Sequence, residues 1–269
     1  MRLLTAAAVM VLACGCGGEG GGSATGPSGG PASVAVSMSN ALRVGQSEEA
    51  TATATLTSGG SQPVTTGFRS DSPGVATVTD GGMVTAVGNG LANVYVVSGG
   101  RQGTKNLKVV PDLEGTWQGT YVVTRCVGTG FFLDEFKFCT EGFSVGSVLP
   151  ISASISQTQD TTTHAFMMGA APTNSVSAVI GPDGSATVAT TAITDAPGVR
   201  IDVTVRVSST TPGVITGTVA STWAAAGFPG NGQFDGTLTN FVRVSTRALS
   251  AAPAGVRPRS PQEAKRLMR

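Results

Sequence analysis

Between Val199 and Val207 every second residue is apolar: Ile201, Val203, Val205 and Val207 alternate with Asp202, Thr204 and Arg206. A period of two belongs to the β-strand, in which successive side chains point to opposite faces. Comparable runs occur at Gly115–Arg125, Val148–Gln157, Thr163–Met168, Ser175–Ile180, Ser185–Ala192, Gly213–Thr222 and Gly232–Val244. Each has one apolar face and one face rich in Thr and Ser, the pattern of a sheet with one wet side. Pro182-Asp183-Gly184 supplies a turn between two of them. About eight consecutive strands without a helical period predict an antiparallel barrel or an open curved sheet over residues 112–245. Composition agrees, since Gly (38 of 269 residues) and β-branched residues suit short strands and tight turns. Apolar residues reach 40%, which separates the chain from a disordered one.

Residues 32–111 show the same period in shorter pieces. Ser33–Ser37 alternates, as does Ala50–Leu56, and Gly59-Gly60 closes the second run. Val75–Val78 and Met83–Val87 flank Asp80-Gly81-Gly82, a hairpin signal. Ala92–Val97 and Asn106–Val110 add two strands with Gly99-Gly100 between them. Several short strands at this spacing predict a β-sandwich. Val44-Gly45-Gln46, Phe68-Arg69-Ser70-Asp71-Ser72-Pro73-Gly74-Val75-Ala76-Thr77-Val78, Gly82–Ala86 and Gly88–Val94 together resemble the bacterial Ig-like group 2 (BIG2) domain. The resemblance covers nearly the whole segment and implies an Ig-like sandwich in a surface or periplasmic protein. Phe68 stands where that family often has Trp. Members serve as spacers in adhesins and as modules beside enzymes, so the fold alone names no function. The expected class is all-β, an Ig-like sandwich followed by a barrel or curved sheet.

The N-terminus reads as an export signal. Arg2 precedes Leu3–Ala13, an apolar run too short to cross a bilayer as a helix. Val11-Leu12-Ala13-Cys14 resembles the lipobox of bacterial lipoproteins, with Val11 where Leu is commonest. That resemblance implies cleavage after residue 13 and acylation of Cys14, with Cys16 as the alternative acceptor. Acyl chains, at about 0.8 kcal/mol per buried CH2, would hold the protein to the cell envelope, with the outer membrane as the expected location. Residues 14–31, rich in Gly, Ser and Pro, form a flexible tether. Residues 246–269 form a basic tail with the composition of a disordered segment.

Gly115-Thr116-Trp117 is similar to the G-x-W signature of lipocalin-like (calycin) barrels. The resemblance implies a late-strand Arg packed on Trp117, and Arg243 is the matching position. Gly-Thr recurs at Gly119-Thr120, Gly217-Thr218 and Gly236-Thr237, either as barrel architecture or as compositional bias.

Cys126 and Cys139 remain as a pair in an exported domain, where disulfides persist. A metal site at these thiols lacks partners, since His164 is the single histidine. Between and beside them lie Phe131, Phe132, Phe136, Phe138 and Phe143, half of the chain's ten Phe residues. Exposed, this loop forms an apolar patch of the kind that marks binding sites. Buried, it plugs one end of the barrel, which is the preferred reading. Phe131, Phe132, Phe136 and Trp117 are the candidate ligand-facing residues. No catalytic residue is assigned. H-E-x-x-H and P-loop motifs are missing from the sequence. Asp134 and Glu135 are adjacent and would diverge in an extended chain. No cofactor or metal is expected. A net charge of +1, with basic residues gathered in the tail, argues against a nucleic-acid partner. The expectation is a non-enzymatic envelope lipoprotein whose distal domain meets a cell-surface protein or polysaccharide. The alternative is a carrier of a small apolar ligand.

Overall fold

The structure, a computed structural model, describes residues 29–169, 171–194 and 198–245. The leader, Cys14, Cys16, most of the tether and the basic tail lie outside the described residues.

The N-terminal part is built from ten short strands: β1 (Pro31–Ser37), β2 (Ala41–Arg43), β3 (Ser47–Glu49), β4 (Thr51–Leu56), β5 (Ser61–Val64), β6 (Arg69–Ser70), β7 (Ala76–Val78), β8 (Met83–Ala86), β9 (Gly90–Ser98) and β10 (Arg101–Val110). They form three small sheets, β1-β4-β5, β2-β10-β9-β6 and β3-β8-β7. Alternation decides which side of each strand is buried. In β4, Ala52, Ala54 and Leu56 are buried while Thr51, Thr53 and Thr55 are exposed. The inward faces share one core around Phe68, Val84, Val94, Val96, Leu107 and Val109. The β7–β8 hairpin turns at Asp80-Gly81-Gly82, and Gly82 adopts φ +97°, a conformation that a side chain would strain.

The C-terminal part holds β11 (Gly115–Gly128), β12 (Val148–Thr158), β13 (Thr161–Met168), β14 (Ala171–Pro172), β15 (Val176–Val179), β16 (Ser185–Thr191), β17 (Val199–Thr211), β18 (Val214–Ala225) and β19 (Gly232–Ser245). One antiparallel sheet runs β14-β13-β12-β11-β19-β18-β17-β16, with β15 also on β13. First and last long strands are therefore neighbours at its middle. The sheet curls strongly into a half-barrel, and its edges meet at a single bridge, Thr173 to Ala192. Two backbone bonds reinforce that seam, Asn174 N–H to the Thr191 carbonyl at 2.9 Å and Ile193 N–H to the Pro172 carbonyl at 2.7 Å. All eight segments expected as strands here are strands, and β14 is an addition. The segment between β11 and β12 departs from an irregular loop. It contains α1 (Phe131–Asp134) and a five-residue π-helical turn, Phe138–Gly142.

The Gly-Thr repeat has an architectural cause. Gly119 and Gly217 sit at irregularities in strand register, between Gln118 and Thr120 and between Ile215 and Thr218. A Cβ on Gly119 would lie 2.6 Å from the Asn240 carbonyl oxygen, and one on Gly236 would lie 2.9 Å from the Tyr121 ring. Thr120 and Thr239 hydroxyls hydrogen-bond across the strands at 2.7 Å. Glycine lets the strands approach and shift register at these positions.

Candidate functional site

Side chains from remote parts of the chain converge at two places, the two ends of the curled sheet. At the far end, the chain leaving β11 folds back over the barrel mouth. Cys126 at the end of β11 and Cys139 in the π-helical turn form a disulfide with Cα atoms 5.6 Å apart. Phe132 and Phe138 are fully buried, and Phe136 and Phe143 nearly so. Phe138 meets the Trp223 ring edge-on at 5.6 Å, and Phe143 stacks on Phe234 at 4.6 Å. Gly232 makes this closure possible, because a Cβ there would lie 2.8 Å from the Phe138 ring. The result is a plug.

The preferred reading of this loop, burial as a plug, therefore holds, and most of the candidate ligand-facing residues lie inside. Phe132, Phe136 and Trp117 point into a filled core. Phe131 is half-buried and rests on Phe228 with ring centroids 4.4 Å apart. Asp134 and Glu135 are both exposed, on α1 and at its end. Sequence reading passed over Trp223, which centres the plug. Its signal was present in the alternation, since Val219, Ser221, Trp223 and Ala225 share one face of β18.

At the near end, Trp117 on β11 is the register partner of Arg243 on β19. The Arg243 guanidinium carbon lies 5.1 Å from the Trp117 ring centroid, the pairing that the G-x-W resemblance implied. Trp117 donates its indole N–H to the Leu113 carbonyl at 2.8 Å. Arg243 Nη1 donates to Asp112 Oδ2 at 2.9 Å, and its Nη2 donates to the Asp112 carbonyl. Arg43, from β2 of the N-terminal part, donates to Asp112 Oδ1 at 3.3 Å and to the Glu114 carboxylate. Gln157 accepts from the Leu113 N–H at 2.7 Å and donates to the Pro111 carbonyl at 3.0 Å. Residues 111–114, the joint between the two parts, are thus gripped from both sides. Lys108 with Asp160 at 2.5 Å and Asn89 with the Ser209 carbonyl at 2.9 Å tie the parts together beside the joint.

The interior holds one titratable histidine. His164 on β13 is fully buried and stacks on Phe166 at 5.7 Å. Thr162 donates its hydroxyl to the Ala178 carbonyl, so His164 Nε2–H donates to Thr162 Oγ1 at 2.7 Å. Nδ1 then remains an acceptor without a partner among the described residues. Burial pushes its pKa from 6.5 down to about 4, so the ring is neutral near pH 7. Among the described residues no group of three or more His, Cys, Asp or Glu is placed to hold a metal ion.

These features define an all-β protein with small N-terminal sheets joined to a plugged, curled sheet. No family model matches the chain, and no curated protein matches it. Among solved structures, the chain is similar to domains 5–6 of the S-layer protein SbsC, at 16% identity and a TM-score of 0.27, over 76% of this chain and 96% of that one. It is also similar to domains 4–9 of SbsC, at 15% identity and a TM-score of 0.24, over 77% of this chain and 47% of that one.

Proposed function

We propose that this chain is a bacterial envelope lipoprotein, exported and acylated at Cys14, that acts by binding and not by catalysis. In this reading the BIG2-like domain is a spacer, and the plugged β domain beyond it is presented to a cell-surface partner. The grip on Asp112 from both sides carries the reading. Arg43 and Arg243 approach one carboxylate from the two parts of the molecule, so the joint acts as a fixed elbow. A spacer works only if it transmits position, and a joint held by side chains from both neighbours does so, whereas a free linker does not. The Cys126–Cys139 disulfide suits an oxidising compartment outside the cytoplasm.

The carrier reading loses ground on packing. Carriers keep an open apolar cavity of several hundred Å3. Here Trp117, Tyr121, Phe166, Trp223 and Phe234 occupy the interior and are fully buried.

Labelled palmitate tests the anchor. Incorporation in the parent chain and its loss in Cys14→Ser support it. Incorporation that persists in Cys14→Ser and disappears in Cys16→Ser moves the anchor by two residues. A parent chain that takes up no label ends the lipoprotein reading.

A further inference from the structure

A cleft of about 570 Å3 opens where the two parts meet, within the size range of small-molecule sites. Val44, Val87, Asn89 and Pro111 reach it from the N-terminal side and the joint, and Asp183, Thr210, Thr211 and Arg243 from the other. Domain boundaries are preferred places for ligand sites because two rigid surfaces there enclose a concavity that neither has alone.

The wall of this cleft has a distinct hydrogen-bonding character. Pro111, Pro182 and Pro212 line it and carry no N–H. Asn89 donates one of its two amide hydrogens to the Ser209 carbonyl at 2.9 Å, which leaves the other N–H and the side-chain oxygen. Asp183 accepts at Oδ1 from the Ser185 N–H at 3.0 Å and the Ser185 hydroxyl at 2.7 Å, which leaves Oδ2. Those bonds hold the Asp183 carboxyl below its ordinary pKa, so it is an anion at neutral pH. The strand register shifts between Ser208 and Thr211, a bulge at the cleft's lip. Ser209 is consumed in holding that bulge, through its hydroxyl to the Val214 carbonyl at 2.9 Å, while the exposed Thr210 and Thr211 line the cleft. Bulges at barrel rims commonly re-aim side chains at a ligand.

This wall is rich in acceptors and poor in backbone donors. It suits a ligand whose groups both donate and accept, and whose rings offer apolar faces to proline and valine. A peptide fits worse, because its carbonyls would find no N–H on three prolines. Among the described residues that line the cleft the one cation, Arg243, is paired with Asp112. We propose that the cleft binds a short stretch of neutral oligosaccharide, with Asp183, Asn89, Thr210 and Thr211 as its hydrogen-bonding residues. This deepens the envelope reading above and rests on it for the presence of glycan. Binding is measured in solution, so its failure leaves the anchor, tested by palmitate, where it stands.

The test is a titration of the full exported chain in detergent with cellobiose, maltotriose, N,N′-diacetylchitobiose and, as the peptide arm, trialanine, followed by ligand-observed NMR. Saturation by at least one saccharide is expected. Val87→Trp should fill the cleft and abolish it, and Asp183→Asn should weaken it about tenfold, the loss of one charge-assisted bond. Thr211→Val, on an exposed side chain, serves where either variant fails to melt like the parent, and should also weaken binding. The proposal is overturned if no saccharide saturates, if trialanine alone does, or if the folded variants bind like the parent.

Discussion

Arg243 lies over the Trp117 ring at 5.1 Å while its Nη1 holds Asp112 at 2.9 Å, so one guanidinium both caps the barrel core and fixes the joint to the N-terminal part. Removing the Asp112 side chain takes the carboxylate from Arg243, which is less than a quarter exposed, and leaves Arg43 with Glu114 alone. Asp112→Ala should cost about 1–3 kcal/mol of stability, the usual penalty for leaving a partly buried charged donor unpaired. Arg243→Ala should cost a similar amount, and the double variant less than the sum, by about 0.5 kcal/mol or more. Urea unfolding of the four chains gives the coupling. Additive losses would sink the shared-clamp account.

The disulfide holds the plug. Reduction, or Cys126→Ser with Cys139→Ser, releases a loop of 13 residues' separation and should cost roughly 3 kcal/mol on the chain-entropy model. The loosened plug should also uncover Phe132, Phe136 and Phe138 to a hydrophobic dye. Dye fluorescence before and after reduction, well below the melting temperature, reads this directly. An unchanged melting temperature would show that ring packing alone retains the plug.

His164 should make the protein acid-sensitive. The folded ring titrates at about 4 and the unfolded one at 6.5, so the unfolded chain takes up a proton first as pH falls. Its contribution is complete above pH 6.5 and declines through the window from 6.5 to about 4, by roughly 3 kcal/mol in all. His164→Gln should flatten the dependence of melting temperature on pH across that window. A parallel curve for the variant would place the sensitivity elsewhere.

Gly232 is tolerated only as glycine because the Phe138 ring lies where its Cβ would be. Gly232→Val should displace the plug and cost about 1–3 kcal/mol, the range for overpacking a filled core. Gly74, with open space around its Cβ position and no left-handed φ, is the control for general glycine effects. The comparison is a pair of thermal melts. Equal losses at both sites would remove the steric argument.

Much of the strand content was legible because alternation is a local property. Ile201, Val203, Val205 and Val207 are buried and Arg206 is exposed, as their spacing dictates. The Cys126–Cys139 pairing was legible once the two N-terminal cysteines were set aside. Phe131, Phe132 and Phe136 were legible as a cluster, with burial the preferred reading, but the residues that bury them were not. Whether an aromatic loop faces solvent or folds under a sheet depends on a partner such as Trp223, about ninety residues further along the chain.

The sequence by itself determined which residues form strands, which side of each is apolar, where several turns fall, and which two cysteines remain to pair. These follow from steric and solvation rules that act over a few neighbouring residues. Only the tertiary structure decided that the barrel is filled, that its mouth is plugged, and that the joint is clamped. Arg43 and Asp112 are 69 residues apart in the chain, and Arg243 and Asp112 are 131 apart. No local pattern encodes such meetings. They arise when the curled sheet brings its last long strand beside its first and lays both against the end of the N-terminal domain.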